Sequence, residues 1–323
     1  MCRTYGCFRM TRGIESLYED EESIPMKNVS KYRLFSIFPI CAFIFSTSAA
    51  GVAQIGPPTT CDSTTKQMGT RSTARPSAEA IQATTDSETA DPTVLTAAEP
   101  PNFSFARYRL LDYYDCVGSS GCYWADIDAQ TRRADAALTS LLAAHNATTP
   151  EVARAQKLAM VLDIDETSLS GYCEEKREDL GYIQPMFEDW VVSPEASVAI
   201  PGTLRLFQHA RAAGVAVFFI TGRPGKGMAK DETDATARNL ATAGYKDWQG
   251  LILLDPSYGT HDPTRYKSEA RARLIAQGYK IILSMGDQWS DLKDPPPDAG
   301  GAPRPTARAE ISVKLPNPFY YLP

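Results

Sequence analysis

Short apolar segments and amphipathic segments alternate in the second half of the chain, and this alternation restricts the fold more than any other feature. The apolar segments are residues 158–164, 215–221, 251–255 and 281–286, and the amphipathic segments are residues 203–213, 231–243 and 267–277. A glycine follows each amphipathic segment, in "AAGV", "TAGY" and "AQGY", where a helix is expected to stop. All-apolar strands separated by helices form a parallel sheet that is covered on both faces. We therefore predict an α/β fold, a Rossmann-like three-layer sandwich with a central parallel sheet.

Polar residues follow the predicted strands and are expected to meet, because ligands bind outside the carboxyl ends of the strands in such a sheet. The first strand ends in "DIDET", the second in "TGR" and the fourth in "GDQWSD". Carboxylates at the end of a buried strand are costly unless a cation or hydrogen bonds compensate. We call the sheet edge formed by the carboxyl ends of the strands the rim. It should therefore carry Asp163, Asp165, Asp287 and Asp291, together with Lys267 from the helix before the fourth strand.

This set of side chains suits phosphoryl transfer assisted by a divalent cation. One carboxylate can attack phosphorus, and another can protonate the leaving group and then activate water. Further carboxylate oxygens are the ligands that magnesium prefers. Taken singly, Asp163 and Asp165 could be a helix cap, Asp291 could cap the following helix, and Lys267 could be a solvated helix lysine. Their combination at neighbouring strand ends favours a site.

Four stretches in this order resemble the motifs of the haloacid dehalogenase (HAD) superfamily: "DIDET", "FFITGR", "YKSEAR" and "GDQWSDL". The chain is most similar to the subfamily IIIB acid phosphatases, which include the class B and class C bacterial enzymes and are related to plant acid phosphatases and vegetative storage proteins. The closing "KLPNPFYYLP" is also similar to the end of that subfamily. The resemblance covers about residues 103–323. It implies a HAD-like sheet with a small α-helical cap element.

The resemblance also implies roles for the acidic residues. Asp163 would be the nucleophile that forms an aspartyl-phosphate, and Asp165 would be the general acid and base. Asp163, Asp165 through its backbone carbonyl, Asp287 and Asp291 would hold Mg²⁺, with Asp291 acting directly or through water. The storage-protein relatives lack the nucleophilic aspartate, whereas this sequence keeps Asp163.

The phosphoryl group would be held by residues of the second and third motifs. Thr221 offers a hydroxyl, Gly222 a backbone amide and Lys267 a positive charge. The loops that follow the second motif ("PGKGMAKDE") and the fourth ("DPPPDAGGAPRPTA") differ from the usual pattern of the family. Both are expected near the rim, where they would affect substrate preference.

The cap is expected from about residues 105–145 and 168–200. The second segment contains Tyr172, Phe187 and Trp190. These aromatic side chains could stack on a nucleobase or an aromatic leaving group, or they could pack the cap against the helix predicted at 123–145.

The N-terminal part of the chain has the composition of a targeting segment followed by a linker. Basic residues precede an apolar run at 34–45, and the small residues "STSAAGVA" follow it, which is the arrangement of a secretory signal peptide. We therefore expect residues 1–53 to be an N-terminal extension and signal peptide, with Met26 as the start of the signal. Residues 54–101 are rich in Ser, Thr, Ala and Pro and are predicted to be a disordered linker. The phosphatase-like domain would then be residues 102–323.

Four cysteines follow the predicted signal: Cys61, Cys116, Cys122 and Cys173. In an exported protein they permit disulfides. Cys116 and Cys122 flank the flexible "VGSSG" and are the best local pair. Four cysteines still allow three pairings.

The sequence thus predicts a secreted or periplasmic, magnesium-dependent acid phosphatase that hydrolyses a small phosphomonoester, such as a nucleotide or a sugar phosphate. A net charge of −6 disfavours a nucleic-acid polymer as partner, and no stable membrane anchor is expected. The alternatives are a phosphotransferase and a non-catalytic storage or binding protein on the same fold. The oligomeric state is not readable from the sequence.

Overall fold

A computed structural model describes residues 56–61, 77–89, 93, 100, 102–258, 262–294 and 307–322. The predicted extension and signal peptide at 1–53 lie outside the described residues. The elements in chain order are α1 (Ala78–Thr89), α2 (Phe103–Asp115), α3 (Tyr123–Asn146), α4 (Pro150–Ala155), β1 (Lys157–Leu162), α5 (Tyr172–Arg177), α6 (Gln184–Val191), α7 (Pro201–Ala212), β2 (Ala216–Pro224), α8 (Thr233–Thr242), β3 (Gly250–Leu254), α9 (Pro263–Ala276), β4 (Tyr279–Gly286) and β5 (Ile311–Lys314). Short 3-10 helices cover Pro194–Ser197, Pro256–Tyr258 and Trp289–Asp291.

The strands form one five-stranded sheet in the order β3-β2-β1-β4-β5, and all four pairings are parallel. The predicted α/β fold with a central parallel sheet is confirmed. Strand β5 was not predicted. It has only four residues, lies at the sheet edge and follows a proline-rich loop, so its sequence carries little strand signal.

Alternate side chains of β1 point into two hydrophobic cores. Met160 and Leu162 face the core that contains residues of α3 and α7, whereas Ala159 and Val161 face the core that contains residues of α9. A strand buried on both faces explains the uninterrupted apolar run in the sequence. It also places the residue after Leu162 at the carboxyl edge of the sheet.

Helix α9 begins at Pro263, four residues earlier than the predicted start at Lys267. The side chain of Asp262 caps it by accepting a hydrogen bond from the Arg265 amide at 2.9 Å. Lys267 therefore lies in the second turn of the helix, buried at 4 % exposure, and is not a solvated helix lysine.

Helix α1 lies inside the segment 54–101, for which the sequence predicted disorder. The amide of Ala78 donates to Asp112 of α2 at 2.8 Å, and Ser119 donates its amide to Glu79 at 2.8 Å. A disulfide between Cys61 and Cys173 joins this segment to α5. These contacts stabilise α1. Because the partners are distant in the sequence, local composition does not predict the helix.

The residues between β1 and α7 contain α5, α6 and the 3-10 helix Pro194–Ser197, in the segment where a helical cap was expected. The cap was also predicted to include residues 105–145, but α3 packs against α7, β4 and β5. Helix α3 is therefore part of the layer on that face of the sheet. Among the described residues, no helix combines the length and the apolar character needed to cross a membrane.

Candidate active site

Three aspartates converge where β1 and β4 end. Asp163 directly follows β1, and its amide donates to the carbonyl of Met285 at 3.0 Å, which continues the pairing of the two strands. Asp287 directly follows β4, and Asp291 ends the 3-10 helix after it. All three side chains are buried, and one carboxylate oxygen of each lies within 4.8 Å of the others. The ends of β1 and β4 therefore bring these three aspartates together, as expected from the sequence.

Lys267 connects two members of this triad. Its Nζ donates to Asp163 Oδ1 at 2.7 Å and also contacts Asp291 Oδ1. Burial alone would lower the pKa of Lys267, but the two carboxylates outweigh that effect and raise it. The lysine is thus held in its charged form beside Asp163.

The triad carries more negative charge than one lysine can balance. Burial, with the neighbouring Asp291, raises the pKa of Asp163 well above its usual value, and the same two causes raise the pKa of Asp287. A divalent cation between the three carboxylates would remove this repulsion. The donor set consists only of oxygens, so these residues fit a hard cation such as Mg²⁺.

Asp287 is held by three neighbouring side chains. Gln288 Nε2 and Asn317 Nδ2 donate to its Oδ2 at 2.8 and 2.6 Å, and the Thr167 hydroxyl donates to its Oδ1 at 3.2 Å. Sequence reasoning did not single out Asn317. The signal was present, because Asn317 lies in the closing "KLPNPFYYLP" that matched the subfamily.

Asp291 approaches the sheet closely because residue 286 is a glycine. A side chain at Gly286 would overlap the carboxylate of Asp291. The amide of Gln288 donates to Asp291 Oδ2 at 2.8 Å. Gly286 therefore provides the space that lets Asp291 reach Lys267.

Asp165 is paired with Arg223 at the end of β2. The guanidinium donates to both carboxylate oxygens, from Nε to Oδ2 at 3.0 Å and from Nη2 to Oδ1 at 2.7 Å. This two-point contact fixes the direction of the Asp165 carboxylate. Arg223 belongs to the "TGR" of the second motif, and the sequence alone did not predict a role for it in the site. Burial raises the pKa of the nearby Glu232 to about 7, against the opposing charge of Arg223.

Thr221 and Gly222 lie on the same rim. Phe219 pairs with Leu162, so Thr221 lies two residues farther along β2, level with the "DIDET" loop. Thr221 is fully buried, and its Oγ1 accepts a hydrogen bond from the Arg223 amide at 3.2 Å. Gly222 is exposed, with open space where a side chain would be. The backbone at Gly222 is therefore accessible to a ligand.

Glu166 connects the first motif to the helices behind it. Its backbone has a positive φ of 52°, and its carboxylate accepts hydrogen bonds from the amide of Gly171 and from the hydroxyls of Tyr114 and Tyr123. Burial raises the pKa of Glu166 to about 7. Glu166 therefore stabilises the loop that carries Asp163 and Asp165.

For two of the three cap aromatics the structure favours the packing alternative. Tyr172 is buried, donates its hydroxyl to Asp115 at 2.6 Å and packs against Tyr114 and Trp124. Trp190 is also buried. Both rings therefore pack within the cap and against its neighbouring helices.

Phe187 is half-buried between Trp190 and Tyr182, with ring centroids 5.5 and 5.6 Å away. Tyr182 is 67 % exposed, which makes it the more accessible cap aromatic of this group. Stacking at Phe187 stays a prediction.

The cysteines form two disulfides in the described residues. Cys116 is joined to Cys122, the pair that the sequence favoured, and Cys61 is joined to Cys173, with Cα atoms 4.3 and 5.3 Å apart respectively. Cys61–Cys173 connects the segment at 56–61 to the cap helix α5, and Cys116–Cys122 closes the short connection between α2 and α3.

Comparison with known proteins assigns a family to most of the chain. A profile described as HAD superfamily, subfamily IIIB (acid phosphatase) matches residues 111–323. The stem 28 kDa glycoprotein of Glycine max is 36 % identical over 170 residues, which cover 51 % of this chain and 61 % of that protein. Acid phosphatase 1 of Solanum lycopersicum is 34 % identical over 165 residues, covering 50 % and 58 %.

A vegetative storage protein of Arabidopsis thaliana is 30 % identical over 171 residues, covering 50 % of this chain and 55 % of that protein. The chain thus spans about three-fifths of the length of the curated relatives it matches. Among solved structures, the class C acid phosphatase from Bacillus anthracis has a TM-score of 0.49 at 24 % identity, covering 67 % of this chain and 86 % of that chain.

Proposed function

Because the chain belongs to the subfamily IIIB acid phosphatases of the HAD superfamily, we propose that it is a secreted or periplasmic, magnesium-dependent phosphomonoesterase. Asp163 is its nucleophile and Asp165 its general acid and base. The substrate is a small phosphomonoester.

One observation supports this proposal most strongly. The Lys267 ammonium lies between Asp163 and Asp291, within a buried triad whose carboxylate oxygens are within 4.8 Å of one another. Burial makes ionised carboxylates costly, and a nucleophilic carboxylate must be ionised. Lys267 and a bound cation both favour the ionised form of Asp163.

In the first half-reaction, the Asp163 carboxylate attacks the phosphorus of the ester. The bond between phosphorus and the leaving-group oxygen breaks, and Asp165 gives its proton to that oxygen. In the structure both Asp165 oxygens contact Arg223, so the protonated carboxyl releases one of these contacts when it donates to the leaving-group oxygen. Lys267, the Thr221 hydroxyl and the Gly222 amide hold the phosphoryl oxygens.

In the second half-reaction, Asp165 takes a proton from water, and the resulting hydroxide attacks the phosphorus of the aspartyl-phosphate. The acyl phosphate bond breaks, which restores the carboxylate of Asp163 and releases phosphate. Asp163, Asp287, Asp291 and the backbone carbonyl of Asp165 would hold Mg²⁺. When bound, the cation acts as a Lewis acid that offsets the negative charge between phosphate and carboxylates.

The nucleophile is tested by the change Asp163→Asn with p-nitrophenyl phosphate as substrate. We expect a folded protein whose hydrolysis rate is lower by about ten-thousandfold, because an amide cannot form the covalent intermediate. Asp247→Asn is the matched control, since Asp247 is exposed and its positive φ of 59° suits asparagine. Retained activity in Asp163→Asn would remove the nucleophile assignment.

The cation requirement is tested on the wild-type protein. A chelator should abolish hydrolysis and added magnesium should restore it, because the triad then lacks and regains its compensating charge. An enzyme that keeps its rate in excess chelator would contradict the requirement.

Two relatives are named as vegetative storage proteins, so a non-catalytic storage function is the alternative. Asp163 argues against it, and the hydrolysis assay separates the two. A phosphotransferase would use the same residues, so product analysis with an added alcohol acceptor decides whether water or the alcohol receives the phosphoryl group.

Export is supported by the disulfides Cys61–Cys173 and Cys116–Cys122, because disulfides persist in oxidising compartments. The signal-like composition of residues 26–53 points the same way. Fractionation of the producing cells, with detection of the protein outside the cytoplasm, tests the location.

A further inference from the structure

A pocket of about 340 Å³ lies at the same rim as the aspartate triad, beside the edge strand. Lys314, the last residue of β5, pairs with Gly286, the residue that precedes Asp287. The pocket is lined by Gln288, Trp289, Lys314 and residues 317–321. We call it the β5 pocket. None of the proposed catalytic residues lines it.

Two residues connect the β5 pocket to the proposed active site. Gln288 and Asn317 line the pocket, and both donate a side-chain hydrogen bond to Asp287. Neighbouring strands are separated by about 4.8 Å, so β5 lies roughly 10 Å from β1, which carries Asp163. Arg223, which holds Asp165, lies on the other side of β1, so only a leaving group with a substituent that extends from the phosphoryl site past β4 would reach this pocket.

The β5 pocket has an apolar wall flanked by positive charge. Trp289 is 48 % exposed. The ammonium groups of Lys293 and Lys314 lie 4.1 and 5.9 Å from its ring centroid. Within the described part of the chain, neither lysine has a carboxylate within 4.0 Å, whereas Lys280 at the other end of β4 is paired with Glu310 at 2.6 Å.

The backbone of Lys314 is fixed from outside the pocket. Gln130 of α3 donates to the Lys314 carbonyl at 3.0 Å, and the Lys314 ammonium donates one hydrogen bond to the carbonyl of Leu315 at 2.7 Å. An ammonium has three donors, so two remain for a ligand. A positioned, unpaired lysine beside an exposed indole suits an anionic group carried on an organic body.

We propose that the β5 pocket receives the leaving group and selects phosphomonoesters whose leaving group carries a second anionic group, a carboxylate or a further phosphate. This inference rests on the proposed phosphatase function and adds a substrate class to it. Lys314 is the main specificity residue, and Lys293 adds charge at the edge of the pocket.

The kinetic test compares phenyl phosphate with 4-carboxyphenyl phosphate, which differ by one carboxylate on the leaving group, and comparing the wild type with Lys314→Met cancels the effect of that substituent on intrinsic reactivity. For the wild type, kcat/KM should be higher for the carboxylated ester by about tenfold, because a hydrogen bond between charged groups is strong. The preference should weaken with added salt. Lys314→Met keeps the length and apolar contact of the side chain but should abolish the preference, and Lys314→Arg should restore part of it.

Lys280→Met is the matched control, because Lys280 is also a partly exposed lysine near the sheet edge but lies at the opposite end of β4. It should keep the wild-type ratio of the two kcat/KM values. A wild type without preference, or a preference that persists in Lys314→Met, would overturn the proposal.

A binding measurement separates failure of the pocket from failure of the phosphatase function. The probe is 4-hydroxybenzoate, the carboxylated leaving group itself, with phenol as the uncharged reference. Calorimetric titration should show tighter binding of 4-hydroxybenzoate to the wild type and loss of that difference in Lys314→Met. If both esters are inert, the phosphatase function fails, and this titration alone then supports or rejects the pocket.

Discussion

Buried carboxylates gather both at the strand rim and in the cap helix α5, but their arrangements differ. At the rim, Asp163, Asp287 and Asp291 come from separate segments and direct one oxygen each toward a shared point. In the cap, Glu174 of α5 and Glu178, the residue that follows α5, lie four residues apart and are both buried. Within the described residues, the rim is the group that meets the geometry of a three-carboxylate metal site.

The two groups also differ in how their charge is compensated. Lys267 reaches two rim carboxylates and is itself buried, so the charges form one network. In the cap, Arg177 contacts Glu174 and extends to the more exposed Glu195 at 2.7 Å. Burial raises the pKa of Glu174 to about 7, and Glu178 adds to this effect against the opposing charge of Arg177. Burial raises the pKa of carboxylates in both groups, but at the rim a buried lysine contacts two of them, whereas in the cap an arginine divides its contacts between a buried and an exposed glutamate.

Among the changes that test this difference between rim and cap, Lys267→Met is expected to have the largest effect on stability and activity. It leaves two buried carboxylates without their cation, so the free energy of unfolding should fall by about 3–5 kcal/mol and hydrolysis by about a thousandfold. Urea denaturation and the p-nitrophenyl phosphate assay measure the two effects. Lys230→Met is the control, because its ion pair with Glu188 is exposed to solvent and should contribute little to stability. Near-normal activity in Lys267→Met would show that the rim needs no lysine.

Asn317→Ala is expected to have a smaller effect on the same rim. The change removes one hydrogen bond from Asp287 and leaves the three carboxylates in place. We expect the magnesium concentration for half-maximal activity to rise by about tenfold, because partners behind a metal ligand orient it. Asn146→Ala, at the exposed end of α3, should change nothing. An unaltered magnesium requirement in Asn317→Ala would mean that Gln288 and Thr167 alone orient Asp287.

Glu174→Gln tests the cap and is expected to have the smallest effect. The folded-state pKa of Glu174, about 7, lies above its ordinary value of 4.5. The folded protein therefore binds more protons than the unfolded chain between roughly pH 4.5 and 7, so this contribution to stability is present at low pH and is lost as the pH rises. Between pH 5 and pH 7.5, the free energy of unfolding should therefore fall by about 1–2 kcal/mol less in Glu174→Gln than in the wild type.

The pH dependence of Glu174→Gln is best compared with that of Glu151→Gln, an exposed position on α4. Urea titrations of both variants and the wild type at the two pH values give the difference. If the free energy of unfolding changes equally with pH in the wild type and in Glu174→Gln, then Glu174 is not the residue that takes up the proton. Hydrolysis by Glu174→Gln should stay near the wild-type rate, since this residue lies outside the rim.

Sequence reasoning found the residues of the site that follow strands and missed those that support them. Asp163 and Asp287 directly follow apolar runs, so a local pattern located them. Arg223 and Asn317 lie in segments that resemble the family, but their partners are 58 and 30 residues away, so the local sequence does not show which side chains they contact. The buried state of Tyr172 was equally hidden, because its aromatic character suits a ligand wall and a core alike.

The sequence by itself determined the class of fold and the order of the motifs. Hydrophobic periodicity and helix stops act over a few residues, so β1, β2, β3 and β4 and the acids at their ends could be predicted without coordinates.

Tertiary structure alone decided the position of β5, the helix α1, the disulfide Cys61–Cys173 and the pocket beside Lys314. These features depend on contacts between segments far apart in the chain, such as the 112 residues that separate Cys61 from Cys173. Such contacts form only when packing of the two cores brings the segments together, and no pattern within one segment encodes them.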